Sequence, residues 1–576
     1  MLKTLPRVLE ALALTLLATL SVATARCARE PAVVDVQLLA FNDFHGNLGP
    51  PSGANGQIGP TAAGGIEYLA THLARLKATN PNTIIVSAGD NIGASPLLSG
   101  MFHDEPTIEA LGAAGLQVSA VGNHELDEGW WELYRMQKGG CHPADGCQDG
   151  TPFEGAPFEF LSANVLLDPR GVDSQWLAKS GWKSPDNGPA TLFPPYVVKE
   201  IGGVKLGFIG LTLEGAPQIV APAGVKGLTF APEASTANTL AKALAGQGVR
   251  AIVVLIHQGG QQTSTDYDGC SALSGPIVSI VQRMSNDIGV VVSGHSHRAY
   301  TCMLGTKLVT SAESYGRLIT DVDLRIDRRT GGIVSKHAHN VLVTRDIDKH
   351  AGETVLMDHY RPFAAKIGDR VVGSLTASII REPNEVGESA LGDVIADGML
   401  DATKDPTRGG AVVALMNLGG LRADLTGAAA PRAGDPGPVT YADVFNVLPF
   451  GNVPTVKTLS GDALVRLLEQ QFDPQSGRYS LLQVSNGFSY SFDPSRPKGQ
   501  RVNRASVAIN GRTIAPADRY RVVMPDFLWS GGDGLTVATE GTDPVAADPD
   551  VDVFVAYLGK HSPLGPGPQN RVQRTR

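Results

Sequence analysis

Eight residues in this chain combine types and positions that could bind cations and move a proton: Asp43 and His45, Asp90, Asn123 and His124, His257, and His295 with His297. The densest group is Gly122-Asn123-His124-Glu125-Leu126-Asp127. It offers an amide oxygen, an imidazole and a carboxylate within a few residues, a mixture suited to a hard or borderline metal ion with an acid–base group. Alone, such a string is equally a turn with a capping aspartate, and a lone histidine is more often structural than a ligand. Of the thirteen histidines, His72, His103, His337, His339, His350, His359 and His561 take that structural reading. Five others, His45, His124, His257, His295 and His297, recur where apolar runs end, which a structural role does not explain. The donors exceed the needs of one ion. Two ions about 3.5–4 Å apart, bridged by one carboxylate and a hydroxide, would use them, and Asp90, the lone carboxylate of its loop, is the natural bridge.

The elements that must position these residues are short apolar strands. Val33 to Phe41 ends at Asn42-Asp43-Phe44-His45, Thr83 to Ser87 at Gly89-Asp90-Asn91, Val118 to Val121 at the hexapeptide, Arg250 to Ile256 at His257, and Val290 to Val292 at Ser293-Gly294-His295-Ser296-His297. Further strands are expected at Phe158 to Val165 and Val204 to Thr212, with paired strands within Lys307 to Ile326. Helices are expected from Ile66 to Leu76, where Ile66, Leu69, Leu73 and Leu76 share a face, from Pro232 to Leu244 and from Ile277 to Met284. This alternation implies an α/β layered domain, whose strand carboxyl ends are where ligands bind.

A charged segment from Thr344 to Ile367 reads as a connecting helix, and a second α/β pattern begins at Asp369. It has strands at Val371 to Leu375, Ala411 to Met416, Val453 to Leu459 and Tyr520 to Met524, and a helix from about Ser389 to Ala402. The expected organisation is a signal peptide over 1–25, a catalytic domain over 26–343, a linker helix over 344–368, a substrate-binding domain over 369–562 and a disordered tail over 563–576. At 576 residues the chain exceeds one core. Its net charge of −9 argues against a nucleic-acid polymer or anionic membrane as partner, so an anionic ligand must be met locally, by metal or arginine.

Lys3 and Arg7 precede an apolar run, Ala11 to Val22, and then Ala23-Thr24-Ala25, the form of a secretory signal cleaved after Ala25. That run is too short for a membrane span, so a periplasmic or secreted protein without a stable anchor is expected. Export invites disulfides, and Cys141–Cys147 and Cys270–Cys302 are the expected pairs, leaving Cys27 over.

The ordered set Asp43-x-His45, Gly89-Asp90, Gly122-Asn123-His124-Glu125, His257 and Gly294-His295-x-His297 resembles the calcineurin-like metallophosphoesterases. The resemblance implies a four-layer α/β/β/α sandwich with two divalent ions (Zn, Mn, Co or Fe) and a metal-bound hydroxide as nucleophile. Asp43, His45, Asp90 and His297 would hold one ion, and Asp90, Asn123, His257 and His295 the other. His124 would contact the phosphoryl oxygen, oriented by Asp127.

In the second domain, Asn417-Leu418-Gly419-Gly420-Leu421-Arg422, Pro449-Phe450-Gly451-Asn452 and Phe527 to Gly534 combine glycine turns, an anion-gripping arginine and aromatic rings able to sandwich a base. Together with the first domain they resemble the 5′-nucleotidase family, including its periplasmic UDP-sugar hydrolase/5′-nucleotidase members. By that resemblance Phe450 and Phe527 stack the base, Asp533 binds ribose, Asn417 and Asn452 contact the nucleoside and Arg422 the phosphate. One departure stands out: where well-known members carry an arginine before the Ser389 helix, this chain has Glu385, and its nearest arginine is Arg381. The expected activity is hydrolysis of 5′-nucleotides to nucleoside and phosphate. The alternatives are 2′,3′-cyclic-nucleotide phosphodiesterase or UDP-sugar hydrolase on the same site, and a secreted nucleotide-binding protein, which predicts a lost ligand where none is lost. The oligomeric state is left open.

Overall fold

The structure is a computed structural model that describes residues 32–184, 188–427, 437–472 and 479–575. The expected signal peptide and Cys27 lie outside the described residues.

The first domain is built on two six-stranded sheets. In chain order its strands are β1 (Val33–Phe41), β2 (Thr83–Ser87), β3 (Val118–Ala120), β4 (Glu159–Leu161), β5 (Tyr196–Ile201), β6 (Val204–Thr212), β7 (Ala251–His257), β8 (Val290–Ser293), β9 (Ala299–Leu304), β10 (Lys307–Ala312), β11 (Leu318–Asp327) and β12 (Ile333–Leu342). One sheet runs β12-β11-β1-β2-β3-β4 and the other β9-β10-β8-β7-β6-β5. Strands β1 to β4 are parallel, as are β6, β7, β8 and β10. Both parallel sets therefore end at one edge of the sandwich.

The period-two alternation of β1 explains the layering. Val36, Leu38 and Ala40 face inward and pack with Phe208, Val253 and Leu255 of the opposite sheet. Leu39 and Phe41 face outward against Leu69 and Leu73 of α1 (Ile66–Lys77). Likewise Ile252, Val254 and Ile256 of β7 turn outward to Ala237 and Ala241 of α2 (Glu233–Gly246) and Ile277 of α3 (Pro276–Arg283). A strand covered on both faces must be apolar throughout, and each such buried side chain contributes about 1.5–3 kcal/mol. The layers are α/β/β/α.

Helix α4 (Ala351–Gly368) joins the domains and packs on helices of both. It starts seven residues later than the expected Thr344, because His350 accepts the Glu353 N–H as N-cap and the preceding residues form loop. The expected strand Phe158 to Val165 is also split, into β4 and Val165–Leu167, because Asn164 turns aside to bond Thr212 and Ala231.

The second domain has a five-stranded mixed sheet centred on Val413–Met416, Pro454–Ser460 and Arg519–Pro525. One face meets the helices Ala390–Thr403 and Asp550–His561, and the other meets the helix Gly461–Gln470. The expected disordered tail is corrected. Val572–Arg574 pairs in parallel with Phe488–Phe492, Val572 is buried, and Arg571 bonds Asp397 through two nitrogens at 2.8 Å. The Pro/Gly composition suggested disorder, but the buried valine and the arginine's carboxylate partner hold the segment.

Both expected disulfides, Cys141–Cys147 and Cys270–Cys302, are present. No helix among the described residues is long and apolar enough to cross a membrane.

Candidate active site

Five loops at the shared sheet edge bring the first-domain residues together. The loops after β1 and β2 are tied by backbone bonds, Asp43 N–H to Gly89 O at 2.9 Å and His45 N–H to Asp90 O at 3.0 Å. The β2 and β3 loops touch backbone to backbone. A Cβ on Gly89 would lie 2.7 Å from the Gly122 nitrogen, and one on Gly122 would lie 2.1 Å from Asp90 Oδ1, which is why glycine precedes both ligand positions. Asp43, His45, Asp90, His295 and His297 all have left-handed backbone, a conformation side chains other than glycine rarely adopt and which clusters at functional sites.

Two groups of donor atoms result, Asp43 with His45 and His297, and Asp90 with His257 and His295, each within 4.8 Å. His45 Nε2 is 3.1 Å from His297 Nε2 and 3.7 Å from Asp90 Oδ2; His257 Nε2 is 2.9 Å from the same Asp90 oxygen. His45 donates Nδ1–H to Gly93 O and His257 donates Nδ1–H to Ala88 O, both at 2.9 Å, which leaves each Nε2 with a free lone pair. The fit to cations rests on what these atoms lack. His257 Nε2 and Asn123 Oδ1 are buried without a hydrogen-bond partner, the former despite its close carboxylate. Buried acceptors converging on one another without protons between them match ligands of a common cation. Nitrogen and oxygen donors without sulfur suit Zn, Mn, Co or Fe.

Burial works against a charge on Asp90, but His257 and His124 outweigh it and hold its carboxyl well below the usual range. Burial likewise opposes a charge on His257, yet the Asp90 and Asp43 carboxylates raise its pKa to about 10, a demand for positive charge at Nε2 that a cation there would meet in place of a proton; burial and His257 lower His295 to about 4. His124 donates Nδ1–H to Asp127 Oδ2 at 2.8 Å, and its backbone N–H donates to Asp90 Oδ1 at 2.9 Å. Burial opposes its charge as well, but Asp127 and Asp90 raise its pKa above the ordinary imidazole value.

Some of the second domain's expected substrate residues reach this centre. Phe450 stacks on His124 with ring centroids 5.7 Å apart and planes at 24°. Arg422 places Nη2 3.4 Å from His45 Nε2 and its guanidinium 5.8 Å from the Phe450 ring. Asn417 and Asp533 are instead bonded to each other at 2.8 Å, and the Gly532–Gly534 turn that holds Asp533 meets the first domain at Ala216–Gln218. Phe527 packs within its own domain, its ring so close to Gly532 that a Cβ there would lie 2.5 Å away. Asn452 is engaged with Asp550. Among the described residues no ring contact joins Phe450 to Phe527. Glu385 is exposed, and Arg381 reaches Leu421 O at 3.1 Å and Asn55 Oδ1 at 3.2 Å rather than the centre.

Three supporting residues escaped the sequence reading. Glu125, given no chemistry there, accepts the backbone N–H groups of Asp90, Asn91 and Gly122 at 2.8, 2.8 and 2.6 Å and so clamps the β2 and β3 loops together. Asn42 donates to Asp43 Oδ2, and Tyr315 donates its N–H to Asp43 O at 2.7 Å with its ring 5.4 Å from His297. Adjacency to a ligand was the available signal for Glu125 and Asn42; for Tyr315, at the end of a distant strand, there was none.

Comparison with known proteins agrees with this arrangement. Residues 36–299 match the calcineurin-like phosphoesterase family and residues 371–540 the 5′-nucleotidase C-terminal domain. A cell wall protein of Listeria monocytogenes, Lmo0130, is 31% identical over 92% of this chain and 68% of its own. This chain belongs to the 5′-nucleotidase family. As a member it is a hydrolase of the metallophosphoesterase class. Endonuclease YhcR of Bacillus subtilis is 30% identical over 91% of the chain, which spans only 40% of that relative's length. The structure of a 5′-nucleotidase precursor from Thermus thermophilus superposes with a TM-score of 0.74 at 26% identity, covering 94% of this chain and 99% of that one. The calcineurin-like match spans every donor of the shared sheet edge, from Asp43 to His297.

Proposed function

We propose that this chain is an exported 5′-nucleotidase that cleaves nucleoside monophosphates to nucleoside and phosphate with two divalent ions. The reading rests above all on the meeting of Phe450 and Arg422 with the His124–Asp127 pair, which sets a base-stacking ring and an anion-binding guanidinium beside the donor cluster. Asp43, His45, Asp90 and His297 would hold one ion, and Asp90, Asn123, His257 and His295 the other. When bound, the ions supply charge neutralisation for the phosphoryl oxygens and acidify water.

The chain's own residues do the rest. Arg422 grips the phosphate, and Phe450 stacks the base in a manner indifferent to base identity. Asp127 fixes the His124 tautomer with Nδ1 protonated and leaves Nε2 for the phosphoryl group. The carboxylates of Asp127 and Asp90 favour a proton on His124, raising its pKa above the ordinary imidazole value, so it can donate to the oxygen that gains charge as the P–O ester bond breaks and a water oxygen bonds phosphorus. Phe450 must lift from His124 to admit substrate, a movement that rotation of the second domain about α4 would provide. Asn417, Asp533 and Phe527 then form the nucleoside side of the cleft. Both disulfides and the signal-like N-terminus support export to the periplasm or medium.

The test is hydrolysis of AMP, 2′,3′-cyclic AMP, UDP-glucose and p-nitrophenyl phosphate by protein loaded with Mn, Co or Zn. AMP is expected to have the highest kcat/KM. A higher value for the cyclic nucleotide or the nucleotide sugar replaces the proposal with that activity, and no turnover with any metal ends it.

A further inference from the structure

His103, assigned a structural role from the sequence, stands in a second cluster of donors. His103, Glu128, Glu132 and His142 each contribute one ligand-type atom, and the four atoms lie within 4.8 Å of one another. They come from three separate segments. His103 and Asp104 have consecutive left-handed backbone (φ 51° and 65°), the conformation shared by the active-site donors Asp43, His45, Asp90, His295 and His297. Glu128 and Glu132 flank the start of the helix Trp130–Lys138, and His142 lies in the loop closed by Cys141–Cys147.

The internal geometry is that of a ligand set. His103 Nδ1 is 2.7 Å from Glu128 Oε2, while its Nε2 is held by Asp145 Oδ2 at 2.9 Å. Asp145 on Nε2 gives His103 the carboxylate support usual for a metal-binding histidine, and a cation at Nδ1 would take the place of the proton that joins it to Glu128. The His103 and His142 rings stack with centroids 3.7 Å apart and planes at 17°. Two imidazolium ions would repel at that distance, so at most one of the rings carries a charge, and a cation can stand in for that one proton. Among the described residues Arg135 is the fixed cation bonded into this cluster, and its partners are Glu132 and Glu105, so Glu128 and Asp145 remain as excess negative charge.

We propose that His103, Glu128, Glu132 and His142 bind a third divalent cation, with Asp145 orienting His103. Two imidazoles and two carboxylates without sulfur select an ion of the Zn, Mn or Co class. Three of the four, His103, Glu128 and Glu132, line a cavity of about 110 Å³ that His124, Asp127 and Phe450 also line. Asp127 and Glu128 are consecutive, one bonded to His124 and the other to His103, so the third ion adds positive charge to the chamber that receives the phosphate.

The experiment is zinc loading of the full chain, removal of free metal, and a count of ions per chain by mass spectrometry. Three ions are expected. The E128Q/H142A variant is expected to hold two, and D90A/H257A, which disrupts the first cluster, to hold one. Glu128 is 45% exposed, so E128Q alone tests the site where the double variant folds poorly, with a weakened third ion expected. Anomalous scattering at the zinc edge locates the ion directly. Two ions in the parent chain with no peak between His103 and Glu128, or three ions undiminished in both Glu128 variants, overturns the proposal. Retention of all ions by D90A/H257A counts instead against the dinuclear reading, and leaves the third site to be judged on its own variants.

Discussion

The two sides of the cleft are built by opposite means. On the first-domain side every donor sits at a strand end, buried or half-buried, with backbone bonds locking loop to loop and glycine only where a Cβ would collide. On the second-domain side the expected contact residues lie on separate loops. Two of them, Arg422 and Phe450, reach across, while Asn417, Asp533, Phe527 and Asn452 bond or pack within their own domain. A site assembled inside one rigid sandwich is carried by the sheet edge itself. A site completed by a second domain exists only when the two bodies meet.

The first-domain side should therefore fail outright. Asp90 faces His257 Nε2 at 2.9 Å and His45 Nε2 at 3.7 Å and accepts the His124 N–H, so it adjoins both donor groups. Asp90→Asn removes the shared charge. Hydrolysis of AMP and p-nitrophenyl phosphate should fall together to background, with loss of bound metal measured on the same sample. Retention of metal with normal turnover would show that Asp90 bridges nothing.

Next in size is the His124–Asp127 pair, which tests whether a residue inside the donor loop acts without being a ligand. His124→Ala should lower kcat by ~10²–10⁴-fold, the range for a positioned acid–base group. Asp127→Asn should lower it by ~10–100-fold, the range for a residue that orients another. Metal content should stay at the parent value in both. Loss of metal in His124→Ala would make His124 a ligand.

The same contrast accounts for what could be read in advance. The donors at Asp43, His45, Asp90, Asn123, His257, His295 and His297 were visible because an apolar strand and a polar end adjoin in the chain, and the sheet only has to stack those ends. The α/β layering was legible in the alternation of strands and helices, whereas the four-layer sandwich came only with the family resemblance. The third cluster was invisible: His103, Glu128 and His142 lie on a tight turn, a helix start and a disulfide loop, with no strand end to mark them. The tail was misread for a related reason, since the partner of Arg571, Asp397, is almost two hundred residues away. Long-range pairing of loops leaves no periodic trace.

The second-domain side should fail selectively. Phe450→Ala removes a ring that stacks on His124 and lies under Arg422. Stacking on a base is worth ~1–3 kcal/mol, so KM for AMP should rise by ~5–150-fold, while KM for p-nitrophenyl phosphate changes much less. Equal rises for both would mean that the ring only supports His124, and the two sides of the cleft would then be less separable than their construction suggests.

The smallest effect concerns the helix that joins the two sides. Glu67 of α1 takes the nearby basic groups, with Lys349 Nζ at 2.7 Å and Arg361 Nη2 at 3.4 Å, and also accepts the Thr354 hydroxyl. Glu353 of α4 is fully buried beside it with both carboxyl oxygens unpartnered. Burial and then the charge of Glu67 push Glu353 from 4.5 to about 8. The folded chain thus keeps a proton that the unfolded chain releases, so the native state loses stability as pH rises from about 4.5 towards 8. Glu353→Gln keeps the shape without the titration. It should raise the melting temperature at pH 8, by an amount on the order of 1–3 kcal/mol in stability, and change it little at pH 5. Because α4 packs on both domains, any hinge it provides would be looser at high pH in the parent chain than in the variant. A pH-independent difference between the two melting curves would mean that Glu353 is ionised in the fold, and that the attachment of α4 to the first domain carries no protonation step.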